Sequence, residues 1–84
     1  MGKNEKLLAK LKSRPKDFTF QELVTLLTGF GYRLSTQGRS SGSSVRFVHS
    51  DYAPISLHKP HPSKELKRYV IEDVIERLEK DGVI

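Results

Sequence analysis

Two runs with strand-like alternation, Ser43–His49 and Pro54–His58, stand four residues apart, joined by Ser50-Asp51-Tyr52-Ala53. A polar link of that length, with Asp inside it and Pro just after it, suits a hairpin turn. The two runs are therefore expected side by side and antiparallel. Beyond the second run, Lys59-Pro60-His61-Pro62 places two prolines among four residues. Proline lacks the backbone donor that a strand ladder needs, so pairing stops there. All three histidines of the chain, His49, His58 and His61, fall in this one stretch, which makes it the first place to look for chemistry.

On either side of the hairpin the period changes to that of a helix. Thr19-Phe20-Gln21-Glu22 offers a capping box, with Phe18 and Leu23 placed for the accompanying hydrophobic contact. Phe20, Leu23, Val24, Leu26, Leu27 and Phe30 form an apolar stripe that Gly29 and Gly31 end. Tyr32–Gln37 alternates as a first strand with Tyr32 and Leu34 inward, and Gly38–Ser43 is a loop of small and polar residues. In the second strand Val45 and Phe47 take the inner face, and in the third Ile55 and Leu57 do so. From Ser63, a plausible N-cap, Leu66, Val70, Ile71, Val74, Ile75 and Leu78 recur at helical spacing until Gly82. Before all this, Asn4–Lys12 carries Leu7, Leu8 and Leu11 on one side of a short helix that Ser13–Asp17 breaks. We read those leucines as a packing stripe.

The expected fold is α+β: an α-β-β-β-α order with the helices on one face of a three-stranded antiparallel sheet, plus an extra short N-terminal helix. Residues 1–18 form a basic N-terminal extension and residues 19–84 the domain proper. The other sheet face is left with Arg33, Ser44, Arg46, Ser56 and His58.

At 84 residues the chain has room for one small domain. It has no cysteine, which removes disulfide and thiolate chemistry and fits a reducing compartment. No apolar run approaches the roughly 20 residues that span a bilayer, and no signal-peptide pattern follows the charged start, so a cytoplasmic location is expected. Net charge is +5 and uneven: residues 1–18 contribute +4, residues 19–63 +2 and residues 64–84 −1. That is the footprint of a nucleic-acid binder, with a solvated lysine-rich face as the alternative.

Three motifs sharpen the reading. Gly29-Phe30-Gly31-Tyr32 ends the first long helix, Gly42-Ser43-Ser44-Val45-Arg46-Phe47 opens the second strand, and His61-Pro62-Ser63-Lys64-Glu65-Leu66 opens the last helix. Together they resemble the HicA family over residues 19–82. These are small toxins of bacterial toxin–antitoxin pairs, with a fold like the double-stranded-RNA-binding domain. The resemblance implies a metal-independent endoribonuclease that cleaves mRNA, needs no cofactor and is neutralised by a HicB-like antitoxin. Family members carry Gly-Ser-His at the start of the second strand, and that histidine is taken as catalytic. This chain has Ser44 there, and serine is a poor general base at neutral pH.

Hairpin geometry offers a substitute. If His49 pairs near Pro54, His58 falls across from Val45 and close to Ser44, on the outward face. Metal-free RNA cleavage needs a group of near-neutral pKa to take the 2′-hydroxyl proton, and cations to stabilise the transition state. The candidate catalytic residues are His58 and His61, the latter matching the family's second histidine, where capping or phosphate contact is the competing role. The candidate RNA contacts are Arg39, Ser44, Arg46, Lys59 and Lys64, with Lys67 and Arg68 beside them. His49, on the inner side, is read as structural. His58-x-x-His61 lacks carboxylate or thiolate partners nearby, so no metal site is assigned. Two functions stay open: a ribonuclease toxin, or a non-catalytic RNA- or antitoxin-binding module descended from one.

Overall fold

In the computed structural model of the chain, which describes residues 3–35, 44–58 and 64–84, the capping box expected at Thr19 forms in full. The Glu22 amide donates to the Thr19 hydroxyl at 3.1 Å and the Thr19 amide donates to the Glu22 carboxylate at 2.9 Å. Helix α2 (Phe20–Gly29) starts there, and its Leu23, Leu26 and Leu27 are buried. It closes with two reversed hydrogen bonds, Gly31 N–H to Thr28 and Tyr32 N–H to Leu27, both 3.0 Å. That closure needs a left-handed residue after the cap, and Gly31 supplies it at φ +101°.

Strands β1 (Arg33–Ser35), β2 (Ser44–Val48) and β3 (Ile55–His58) make an antiparallel sheet in the order β1-β2-β3. Helix α3 (Arg68–Lys80) follows, and helix α1 (Lys3–Lys12) precedes α2. The fold is α+β with the helices packed against the sheet, as expected. Val45, Phe47 and Ile55 from the sheet meet Leu23, Leu26, Leu27, Ile71, Val74 and Leu78 from the helices in one buried core. Removing each such side chain from water contributes roughly 1.5–3 kcal/mol.

Helix α1 belongs to this core too. Leu11 and, just after the helix, Phe18 are fully buried, with Leu7 and Leu8 packed partly against them. It runs antiparallel to α2, because Asn4 donates to the Leu26 carbonyl at 3.4 Å while Lys10 reaches Glu22 at 2.8 Å. The leucine stripe is a packing stripe.

Three local expectations are corrected. The β2–β3 register pairs Val45 with Leu57 and Phe47 with Ile55, one residue from the pairing of His49 with Pro54. Facing residues of antiparallel strands share a side of the sheet, so inward Val45 must meet inward Leu57, not outward His58. Leu34 is 38% exposed. It pairs with buried Phe47, but it sits on the edge strand. Finally, α3 begins at Arg68 with Lys67 as N-cap, so Ser63 is not its cap and Lys64-Glu65-Leu66 do not open the helix. Those residues are extended instead: the Phe20 amide donates to the Lys64 carbonyl at 3.0 Å and the Leu66 amide to the Phe18 carbonyl at 2.8 Å. This pairing takes the backbone groups that an earlier helix start would have needed.

Candidate functional site

The sheet positions the site by leaving one face without helices. Along that face the register aligns Ser35 with Arg46 and Ser56, and Ser44 with His58. Arg33, Arg46, Ser56 and His58 are all exposed. His58 stands directly opposite position 44, closer than the sequence expectation had it, and directly opposite residues have Cβ atoms about 4.5–5.5 Å apart. Arg46 lies diagonally across from His58, at about 7–8 Å on the same scale. An imidazole and a guanidinium thus share a small exposed surface at one end of the hairpin. The His58 side chain makes no hydrogen bond with another described residue.

Both long helices aim the same way. The C-terminal end of α2 lies at the hairpin turn, where the Phe30 carbonyl meets His49. The second half of α3 lines a groove with Ala53, Pro54 and Ile55 at the start of β3. The helices' N-termini are therefore at the opposite end, where β2 begins and β3 finishes with His58. Helix dipoles put partial positive charge at N-termini, so this end favours anions.

Lys64 is exposed and lies beside the start of α2 through its carbonyl contact with Phe20, not at the front of α3. Lys67 and Arg68 do occupy that front, and no side chain caps the helix there. Arg68 shares the Glu72 carboxylate at 3.3 Å with Arg14 at 3.7 Å. His61, Arg39, Lys59 and the Gly38–Ser43 loop lie outside the described residues. Among the described residues no group of three or more His, Cys, Asp or Glu side chains converges on one point, and no helix is long and apolar enough to cross a membrane.

His49 is held as a structural residue would be. The Asp51 amide donates to its Nδ1 at 2.9 Å, so Nε2 carries the ring proton and donates to the Phe30 carbonyl at 3.1 Å. Tyr32 and Tyr52 enclose the ring, with centroids 4.9 and 4.6 Å away. One residue of interest has no place in the sequence expectations. Tyr69, in the first turn of α3, is 69% exposed. The signal for it was available, because a tyrosine there falls off the apolar period of Val70, Ile71, Val74, Ile75 and Leu78.

Compared with known families, residues 20–80 match the model of the HicA toxin of bacterial toxin–antitoxin systems. The chain belongs to the HicA toxin family. The match begins at the first residue of α2 and ends at the last of α3, so α1 lies before the matched region although its Leu11 packs in the same core. No curated protein sequence and no solved structure gives a significant match. Membership makes this a toxin of a toxin–antitoxin pair.

Proposed function

We propose that this HicA-family toxin is a metal-independent endoribonuclease acting on mRNA in the cytoplasm, with His58 as general base. The observation that carries the reading is the β2–β3 register. In the family the catalytic histidine follows Gly-Ser on β2; here position 44 is serine and the residue facing it across the ladder is His58. An imidazole on β3 can reach the volume that the family fills from β2.

In this mechanism the RNA 2′-oxygen attacks the adjacent phosphorus while His58 takes its proton. The bond from phosphorus to the 5′-oxygen breaks, and that oxygen takes a proton from an acid, the role we give His61. The products are a 2′,3′-cyclic phosphate and a 5′-hydroxyl. Arg46 stabilises charge developing on the phosphoryl oxygens. Arg39, Lys59 and Lys64 hold flanking phosphates, and Ser44 contributes a contact beside the scissile link. A HicB-like antitoxin neutralises the toxin by covering Arg46, His58 and the Gly38–Ser43 loop. Charge complementarity guides that encounter, while buried anchors supply most of its affinity.

Growth arrest on expression, relieved by His58→Ala, tests the proposal together with cleavage of RNA by the purified proteins. Equal cleavage by both proteins would remove His58 from the mechanism. A second reading has one observation in its favour, the serine at position 44: the chain binds RNA or its antitoxin without cutting. Salt-dependent RNA binding by a wild-type protein that neither cleaves RNA nor arrests growth would establish it.

A further inference from the structure

The exposed aromatic at the front of α3 is not explained by packing. Ile71, Val74, Ile75 and Leu78 are buried and define the inner side of the helix, and at about 100° per residue Tyr69 falls on the opposite side. It and Leu34 are the large apolar side chains left exposed among the described residues. Three cations precede it in the chain, Lys64, Lys67 and Arg68, all exposed. Lys64 and Lys67 make no ion pair with a described residue, and the nearby acids are Glu65, Glu72 and Asp73. Glu72 is bound to Arg68 at 3.3 Å and Asp73 to Arg77 at 3.0 Å, and Glu65 has an interaction of its own, so none of the three charges stands free. Side chains on a helix lean toward its N-terminus, which carries the Tyr69 ring toward the start of α3 and away from the turn of Glu72 and Asp73.

We propose that Tyr69 is a base-stacking subsite for an unpaired nucleotide, with Lys64 and Lys67 holding the phosphates on either side of it. The proposal rests on the ribonucleic-acid reading above and refines it, because it says where one base of the substrate sits. A flat exposed ring with exposed cations close to it in the chain is the pattern by which single strands are held: cations track the backbone and an aromatic face takes a base of any identity. Tyr69 is at the same end of the molecule as His58 but on the helix layer. A single strand crossing that end lays one base on Tyr69 and passes its backbone toward the sheet face. Paired bases are stacked inside a duplex and cannot use the ring, so the subsite selects unpaired RNA.

The chain contains no tryptophan, so Tyr69→Trp introduces a single indole as reporter. It is titrated with 2′-O-methyl oligoadenylate, which cannot be cut by 2′-oxygen attack, and with an abasic oligomer of equal phosphate number. The expected result is strong quenching by the first oligomer and none by the second. In the wild-type background, Tyr69→Ala should weaken oligoadenylate binding roughly 10-fold, Tyr69→Phe should restore it, and the salt dependence should be the same in all three proteins. Equal affinity of the wild type for the two oligomers, or an unchanged affinity in Tyr69→Ala, overturns the subsite while leaving the RNA reading intact. Failure to bind either oligomer overturns both. Loss of neutralisation by the antitoxin in Tyr69→Ala, with RNA binding unchanged, assigns the ring to the protein interface and also overturns the proposal.

Discussion

At the hairpin end of the sheet His49 spends both ring nitrogens on backbone groups and is walled by Tyr32 and Tyr52, whereas at the other end His58 stands exposed with no described partner. The same side chain closes one end and leaves the other available. The rest of the fold follows this division. The carbonyl ends of α2 and α3 are sealed at the hairpin end by matching closures, the second formed by Gly82 N–H to Glu79 at 3.1 Å and Val83 N–H to Leu78 at 2.9 Å. The amide ends lie at the His58 end, where only α2 has a side-chain cap. A group whose hydrogen bonds are all made within the fold has nothing left for a substrate. A site built on this sheet therefore has one end open to it, and the two ends should respond differently to substitution.

Breaking the closed end should have the largest effect. A Cβ at residue 31 would come within 2.8 Å of His49 Nε2, at a backbone φ of +101°. Gly31→Val therefore adds left-handed strain and displaces the histidine from the Phe30 carbonyl, together on the order of 3 kcal/mol. Urea denaturation should show this as a lower midpoint with an unchanged slope. A variant as stable as wild type would mean that His49 is not what holds the hairpin to α2.

At the open end the comparable test is Thr19→Ala, which removes one half of the capping box and should cost about 1 kcal/mol. The pH dependence tests the Lys10–Glu22 contact beside this cap. Glu22 is held below the usual carboxylate range, first by the hydrogen bond from Lys10 and then by that from the Thr19 amide. Its contribution is complete above its unfolded value, about 4.3, and is lost as the pH falls through the depressed folded value. Lys10 is raised by the same bond. Its share is complete below the ordinary lysine value and disappears as pH rises through the raised one. Tyr32, at the closed end, is raised first by burial and then by Asp81 and Tyr52, so it too fails only in alkali. Acid should therefore loosen α1 from α2. Amide exchange of α1 measured on either side of about pH 4 checks this, and protection of α1 that does not change across that range would show that the Lys10–Glu22 bond does not hold the two helices together.

A smaller effect of opposite sign is expected inside the closed end. The Tyr32 hydroxyl is buried and makes no hydrogen bond among the described residues. A buried polar group without a partner is destabilising. Tyr32→Phe, which keeps the ring against His49, should leave the melting temperature unchanged or raise it slightly. A clear drop would reveal that the hydroxyl is bonded in solution and that the closed end depends on it.

Much of this division was legible in the sequence, and the failures have identifiable causes. Thr19, Glu22 and Gly31 act through neighbours three or four residues away, so their roles could be read locally. The face of His58 followed from period-two alternation, but its exact partner did not. Placing it opposite Val45 conflicted with the inward assignment of Val45 and Leu57, since paired residues share a face. Parity alone would have required the pairing now seen with Ser44. The start of α3 was not readable in the same way. Lys64-Glu65-Leu66 continues the helical period, and only the pairing of Glu65 with Thr19, 46 residues earlier in the chain, turns it into extended backbone. Tertiary hydrogen bonds of that reach leave no local signature. Sequence also led us to treat residues 1–18 as an extension, because the family resemblance stops short of them. Leu11 nonetheless fills the same core as α2 and α3.

The smallest expected change in stability is the one that bears most on function. His58 is exposed and ends its strand, and its side chain has no described hydrogen-bond partner. Substitution at such a position moves stability within about 0.5 kcal/mol, so His58→Ala should melt with the wild type. His49→Ala, at the other end of the sheet, should not, because it takes the donor from the half-buried Phe30 carbonyl and removes the ring packed against Tyr32 and Tyr52, the lost hydrogen bond alone costing about 1 kcal/mol. If His58 is the general base, the alanine variant loses RNA cleavage while keeping the folded midpoint and the salt-dependent affinity for RNA. The two histidine variants would then be opposites, one folded and inactive, the other active in proportion to the fraction that remains folded. A His58→Ala protein that unfolds easily would show the ring to be part of the packing after all. It would then be removed as catalyst, because a residue needed to hold the strand cannot also be the one left free for the substrate.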